Sequence, residues 1–248
     1  MRAGALFGIA EGTVRTALSR MAAAGEVEAA DGWYRLSGRL VERQQRQDAS
    51  RSAARLVPWS GRWWMAVVRA ARRPAAERAR LRAAMTTLRF GELREGVWLR
   101  PANLDPERSP AASAALAGQC HRFDVDSPRD SPDSMPASMW DSPPDSSPGQ
   151  SAADLAAALW DLAGWAARAR ALERTLDALV GTLERHDPAA LAPGFVLSAA
   201  VLRHFQADPL LPDELLPPDW PGDDLRQRYD RYDRAYRALL AEWFAGVG

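Results

Sequence analysis

Between residues 11 and 24 apolar side chains recur at Val14, Ala17, Leu18 and Met21, and this three-and-four spacing predicts an amphipathic helix. Gly25 follows the last periodic position, where a glycine commonly stops a helix. Two strand-like runs come next, Glu26-Val27-Glu28-Ala29 and Trp33-Tyr34-Arg35-Leu36, on either side of Asp31-Gly32. Asp-Gly between such runs is a strong hairpin signal, because the turn needs residues that tolerate positive φ. Residues 40–56 are polar and rich in Arg and Gln, and predict a helical connector.

After residue 58 the pattern changes. Trp63 to Val68 is a continuous apolar run, short enough for a buried strand. Pro74 suits the first turn of a helix reaching about Leu88, with Leu81, Met85 and Leu88 on one face, before Gly91 breaks it. Gly96 to Arg100 predicts a strand stopped by Pro101, Ala111 to Gly118 a short helix, and Cys120 to Val125 a last strand. A β-α-β-β-α-β order is that of a ferredoxin-like half-sandwich.

Residues 126–150 repeat Asp-Ser-Pro at 126–128, 130–132 and 141–143. Such a tract has little apolar surface to offset the entropy of ordering, so disorder is expected. A phosphorylated or protein-binding tail is the sharper, rarer meaning.

The last 98 residues are helical in pattern. Leu155, Leu159, Leu162 and Trp165 keep helical spacing, as do Leu172, Leu176 and Leu179, and Leu197 to Phe205 predicts another helix. Asp208 to Pro221 holds five prolines, which exclude a helix or central strand. It is expected to run extended, packed through Leu210, Leu211, Leu215, Leu216 and Trp220. Leu225 to Phe244 closes the chain as an amphipathic helix, with Tyr229, Tyr232 and Tyr236 on its buried stripe or at a dimer contact. The expected class is α+β, with domains 1–57, 58–125, a disordered insert 126–150, and 151–248.

At 248 residues the chain is long enough to bury a core without staples. No unbroken apolar run approaches the span of a bilayer, and no secretory pattern opens the chain. A cytoplasmic protein without a membrane partner is expected. The single cysteine, Cys120, excludes an internal disulfide, and no Cys/His spacing resembles a metal site. His121, His186 and His204 are far apart and lack the spacing of a metal or triad motif.

A formal net charge of zero hides an asymmetry. Residues 58–100 carry ten Arg against three acids and 1–57 nine against six, whereas 151–248 carry ten against fifteen. A basic first half suits a polyanionic partner. Every one of the 32 basic residues is Arg. A compositional bias of the genome is the commoner cause, and selection for a fork that binds phosphate or guanine is the sharper one.

A helix followed at once by a tight hairpin is the second half of a winged helix-turn-helix. Val14, Ala17, Leu18 and Met21 fall within about 100° of arc, the width of a core-facing stripe. The opposite side holds Gly12, Thr16, Ser19 and Ala23, edged by Arg15 and Arg20. Small residues let a helix enter the major groove, and Arg, Ser and Thr contact base edges or phosphates. An ordinary solvated helix face has the same composition, and it is the hairpin directly after that raises the DNA-binding reading. The candidate DNA contacts are Thr13, Arg15, Thr16, Ser19 and Arg20, with Arg35 in the wing. The stripe Arg69, Arg72, Arg73, Arg78, Arg80, Arg82 suits DNA backbone or the phosphates of a ligand, though such runs are more often solvated. Trp59, Trp63, Trp64 and Trp98 are more often core than a stacking platform.

Three segments bear a resemblance. FGIAEGTVRTALSRMAAAGEVEAADGWYRLS, residues 7–37, resembles the PaaX family of bacterial transcriptional repressors, which carry Val-Arg-Thr-Ala-Leu-Ser-Arg on the recognition helix, here Val14 to Arg20. LRFGELREGVWLRPANL, residues 88–104, is similar to that family's middle domain. LRHFQADPLLPDELLPPDWPG, residues 202–222, is similar to its C-terminal signature, with Pro, Trp and Gly at fixed offsets.

The resemblance implies a homodimer that binds a double-stranded DNA operator. It implies repression of an aromatic-acid catabolic operon, relieved by an acyl-CoA effector such as phenylacetyl-CoA, with Arg69, Arg72 and Arg73 as weak candidates for the effector. No nucleophile, base and phosphate-loop constellation recommends an enzyme, and no resident cofactor is expected. The family's winged helix begins with a further helix and turn, whereas six residues precede Phe7 here. The expectation is that the true start lies upstream and that, without the extra helix, Val14 and Leu18 are partly exposed. The alternative is an acyl-CoA-binding or interaction protein that has lost DNA binding. The middle segment also resembles small CRISPR-associated nucleases of ferredoxin-like fold. Such a nuclease needs a carboxylate after its first strand, and here no acid follows Val68 until Glu77.

Overall fold

The computed structural model describes residues 2–30, 33–51, 56–70, 72–105, 109–127 and 151–246. The chain is α+β and divides into two compact units. Met1–Ala53, Trp165–Ala207 and Pro221–Gly248 form the first, Ala54–Gly164 and Asp208–Trp220 the second.

In the second unit, β3 (Arg62–Val68), α4 (Ala75–Thr87), β4 (Gly91–Arg94), β5 (Val97–Pro101), α5 (Pro110–Gln119) and β6 (Cys120–Asp126) build an antiparallel sheet ordered β4-β5-β3-β6. β3 is central, with Met65 opposite Leu99 on one side and Phe123 on the other. Both faces of the sheet are covered, which is why β3 reads as unbroken apolar sequence rather than an alternation. Ala66 and Cys120 pack under Leu81, Met85 and Leu116 of the two helices. On the other face Trp63 and Leu99 meet Ala156 and Leu162, together with Leu211 and Leu215 of the proline-rich segment.

That segment is irregular, with a left-handed Leu210, a 3-10 turn at Asp213–Leu215 and a second turn closed by Trp220 N donating to the Pro217 carbonyl; it buries Leu210, Leu211 and Leu215, with Leu216 and Trp220 half-buried. It is tied in by Arg100, which is fully buried. The Arg100 guanidinium donates to the carbonyls of Pro101 (2.8 Å) and Leu88 (2.7 Å) and to Asn103 Oδ1 (2.6 Å). Asn103 Nδ2 in turn donates to the Leu210 carbonyl at 3.1 Å.

Several sequence expectations change here. Gly91 does not break the helix: α4 ends at Thr87, Arg89 turns through a positive φ of 62°, and Gly91 opens β4, where a Cβ would lie 2.8 Å from Leu159. Pro101 ends β5 from within, opposite Trp63. Asp126, assigned to the insert, is the last residue of β6, and Ser127 just beyond it is still tied to the sheet, its N donating to the Gly61 carbonyl and its Oγ accepting from Trp63 Nε1. The expected disorder of the remaining insert, 128–150, lies outside the described residues.

The run from Leu155 to Leu179 is two helices, α6 (Ala152–Leu159) and α7 (Leu162–Glu184). Trp160 turns extended between them, and the Asp161 carboxylate accepts from Gly164 N at 2.8 Å to start the second. Leucine spacing alone does not see this cap.

The first unit contains α1 (Arg2–Ala5), α2 (Glu11–Ala23), the hairpin β1 (Val27–Ala30) and β2 (Trp33–Leu36), α3 (Gly38–Arg51), most of α7, α8 (Leu191–Gln206) and α9 (Gly222–Ala245). α8 starts six residues before the expected Leu197, with Pro193 in its first turn, where a missing N–H is tolerated. Pro188–Gln206 has a mean hydropathy of 1.2 and is long and apolar enough to cross a membrane by composition. Its Leu191, Leu197, Val201 and Phe205 are nevertheless buried in this unit, where α8 packs on α3 and α9.

Tyr229, Tyr232 and Tyr236 form the buried stripe of α9 and stack with centroids 5.9 and 6.0 Å apart. Tyr232 Oη donates to the Gly194 carbonyl at 2.6 Å and Tyr236 Oη to Leu191 at 3.3 Å. Arg51 joins α3 to α9 through Asp233 (2.8 Å) and the face of Tyr229.

Candidate nucleic-acid interface

The thirteen-residue α2 starts after Ala10, which provides no side-chain cap, and Glu11 in the first turn complements the helix dipole. Its end is closed by Gly25 at φ +67°. Gly25 N donates to the Ala22 carbonyl (3.0 Å) and Glu26 N to Met21 (2.9 Å), the paired bonds of a Schellman cap.

The hairpin returns to this same point. Val27 lies opposite Leu36 and Ala30 opposite Trp33, leaving a two-residue connection; Asp31-Gly32 itself is outside the described residues. Ser37 N then donates to the Glu26 carbonyl and Ser37 Oγ to the Gly25 carbonyl, both at 2.9 Å. A Cβ on Gly38 would sit 3.0 Å from that Gly25 carbonyl, so glycine lets the chain leave beside the cap. Helix end and hairpin base are thus clasped together, which fixes the direction of the wing relative to α2.

Thr13, Arg15, Thr16, Ser19, Arg20 and Arg35 are all exposed. Arg15 pairs with Glu11 one turn earlier at 2.8 Å, both side chains being more than half exposed. Thr16 Oγ1 donates to the Gly12 carbonyl at 2.9 Å, which occupies its one proton and leaves the hydroxyl able to accept. Arg35 stands opposite Glu28 in the hairpin register.

Val14 and Leu18 are half-covered, as expected without a further helix, and so is Met21; Ala17 is exposed and no residue of α2 is buried, which corrects the core-facing stripe to a partly covered one. Its neighbours are small. The four-residue α1 approaches closely at Gly4, where a Cβ would meet Val14 at 2.5 Å, and β1 buries Val27 alone of its four residues. Sequence reasoning passed over Trp33, the most exposed large apolar side chain among the described residues at 81%. Its place directly after the Asp-Gly turn was the signal that it tips the wing.

The second unit brings some of the arginines together. Arg69 and Arg73 line a groove of about 820 Å³ with Arg78, Arg82, Arg94 and Trp98, whereas Arg72 is exposed beside it and does not line it. Arg73 donates to Gln119 Oε1 at 2.9 Å while its Nε is buried without a partner. Arg69 also borders a separate cavity of about 550 Å³ lined by Trp64, Leu88, Phe90, Leu116 and Cys120. Burial pushes the Cys120 thiol up in pKa, against the pull of Arg73 and Arg69. Of the four tryptophans weighed as a platform, Trp63 is buried core; Trp59, Trp64 and Trp98 pack half-covered on the two cores. Among the described residues no three His, Cys, Asp or Glu side chains cluster as metal ligands.

Comparison with known proteins gives concordant matches. Residues 2–40 match the family model of the PaaX-like protein, 56–133 that of the PaaX protein central Cas2-like domain, and 160–246 that of the PaaX-like protein C-terminal domain. Among solved structures the chain is similar to the uncharacterized protein Rv0674 from Mycobacterium tuberculosis. The two share 38% identity over 96% of this chain and 86% of that one, with a TM-score of 0.61. No curated protein matches. With three models of one family in chain order and a full-length relative at this identity, the chain belongs to the PaaX family.

Proposed function

We propose that this PaaX-family chain is a DNA-binding transcriptional regulator, a repressor of an aromatic-acid catabolic operon of the phenylacetate type, released from its operator by an acyl-CoA. The observation that carries the reading is the clasped α2–hairpin unit with its exposed hydroxyl and guanidinium face.

As the second half of a winged helix-turn-helix, α2 enters the major groove and the wing reaches the adjacent backbone. Thr13, Arg15, Thr16, Ser19 and Arg20 turn toward bases and phosphates, and Arg35 toward the backbone. Arg15 leaves Glu11 at little cost, since an exposed pair at this spacing is worth about 0.3–0.5 kcal/mol. The β-α-β-β-α-β sheet is a ferredoxin-like middle domain, and residues 151–248 are the helical C-terminal domain. Arg69 and Arg73 hold the phosphates of the thioester, with Arg72 at the margin. The protein acts in the cytoplasm as a homodimer on double-stranded DNA, with no catalytic role.

Gel-shift titration on the fragment upstream of its own gene tests this. An Arg15→Ala, Arg20→Ala variant should lose about 1–3 kcal/mol per base-reading arginine. Its log–log salt slope should fall by about 0.9 for each phosphate contact removed. Wild-type affinity in that variant rejects the assignment. The half-covered stripe of α2 favours a second reading, a thioester-binding protein that does not bind DNA. In that case phenylacetyl-CoA raises the melting temperature while no duplex binds at low salt.

A further inference from the structure

The two edges of the antiparallel sheet differ. β4 has four residues, a register shift between Glu92 and Arg94, and a first residue packed against Leu159 and Trp160. Shortness, bulges and cover are devices that keep an edge from pairing with another chain, as are charged side chains along it. β6 has only the last, at Arg122, Asp124 and Asp126, and its charges are of both signs. It runs seven residues without proline or register shift, and among the described residues it pairs with β3 alone. Its residues 121–124 are exposed, with Phe123 at 48%.

The backbone direction of β6 follows from the bonds at its two ends. Arg69 N donates to the Gln119 carbonyl (3.0 Å) and Ser127 N to the Gly61 carbonyl (3.1 Å). In an antiparallel ladder alternate residues carry the bonds, so His121, Phe123 and Val125 turn their N–H and C=O groups toward β3. Cys120, Arg122, Asp124 and Asp126 turn theirs to the open side.

The sequence Cys-His-Arg-Phe-Asp-Val-Asp complements itself when laid antiparallel on a second copy with Phe123 on the two-fold axis. Arg122 then stands opposite the second copy's Asp124, and Asp124 opposite its Arg122. Both fall at hydrogen-bonded positions, so the outward groups of each strand meet those of the other. The two Phe123 rings meet at a non-hydrogen-bonded position, where side chains approach closest. Moving the axis to residue 122 sets Arg against Arg, and moving it to 124 sets Asp against Asp; both registers are disfavoured. The Arg122 guanidinium already lies over the Trp64 ring, 5.2 Å from its centroid, on the face shared with Asp124.

We propose that two copies of this chain join through β6, antiparallel about Phe123, so that two four-stranded sheets become one of eight strands. The inference rests on the homodimer of the proposed function and names its surface.

The test uses the full chain in sedimentation equilibrium and in disulfide trapping. Wild-type protein should sediment as a dimer. Opposed Cα atoms at a non-hydrogen-bonded pair are about 4.5 Å apart, within disulfide reach, so Phe123→Cys should cross-link under mild oxidation. Wild type should not, because its Cys120 is buried and lies opposite Asp126. Arg122→Asp, which turns two attractions into two repulsions, should weaken the dimer by roughly tenfold. Arg122→Asp combined with Asp124→Arg should restore it to within about threefold. Should Arg122→Asp fail to fold, the Phe123→Cys cross-link decides. A wild-type monomer overturns both the dimer and its surface. A dimer that neither cross-links at Phe123→Cys nor responds to Arg122→Asp overturns the β6 surface and leaves the homodimer standing.

Discussion

Gly194 and Gly181 both lie inside helices of the first unit, and alanine should affect them oppositely. In a helix interior alanine is favoured over glycine by about 1 kcal/mol through backbone entropy alone. At Gly181 a Cβ meets only Arg185 Nη1 at 3.5 Å, an ordinary contact with a flexible end, so Gly181→Ala should gain that amount. At Gly194 the same atom lies 2.8 Å from Tyr236 Cε2 and 2.9 Å from Tyr232 Oη. Both rings are buried and stacked on one another, so neither can swing aside. Overpacking of this kind costs about 1–3 kcal/mol. Displacing Tyr232 also strains its bond to the Gly194 carbonyl, worth about 1 kcal/mol. Subtracting the helix gain leaves Gly194→Ala destabilised by roughly 1–3 kcal/mol. At about 2–4 °C per kcal/mol for a chain of this size, the two variants should melt on opposite sides of wild type. Thermal unfolding followed by far-UV circular dichroism reads the difference. A Gly194→Ala variant that melts at or above wild type refutes the close crossing of α8 and α9.

Arg100→Met keeps the unbranched apolar stem but removes the guanidinium donors that serve Leu88, Pro101 and Asn103. Stranding these buried acceptors should cost about 3–5 kcal/mol, read as a lower urea midpoint; a loss under about 1 kcal/mol would show the network to be dispensable. Burial raises the Tyr229, Tyr232 and Tyr236 phenols above their ordinary value. The folded chain therefore keeps protons that the unfolded chain releases near pH ~10, so this stabilisation is whole below that pH and is lost as pH climbs through the folded values. Melting temperature should fall steadily above about pH 10, and a flat profile there would contradict the burial of the stripe.

The α2–hairpin unit is legible in the chain because its signals are local. A three-and-four apolar repeat, a glycine that can take positive φ and an Asp-Gly turn act over a few residues, and the backbone obeys them with little help from elsewhere. The exposed face with Arg15, Thr16, Ser19 and Arg20 follows from the same period. The central strand and the tyrosine stripe are legible for a similar reason, since a long unbroken or strictly spaced apolar pattern has few structural solutions.

What the sequence by itself determined, then, was the kind and order of most elements and the family to which they belong. The tertiary structure alone decided the strand after Gly91, the break at Trp160, the convergence of Arg69 with Arg73 but not Arg72, and the half-covered state of the α2 stripe. It alone made Arg100 a buried tie reaching, through Asn103, to Leu210, 107 residues beyond Asn103. Burial, capping and hydrogen bonding at these places depend on partners remote in the chain, and no window of neighbouring residues contains them.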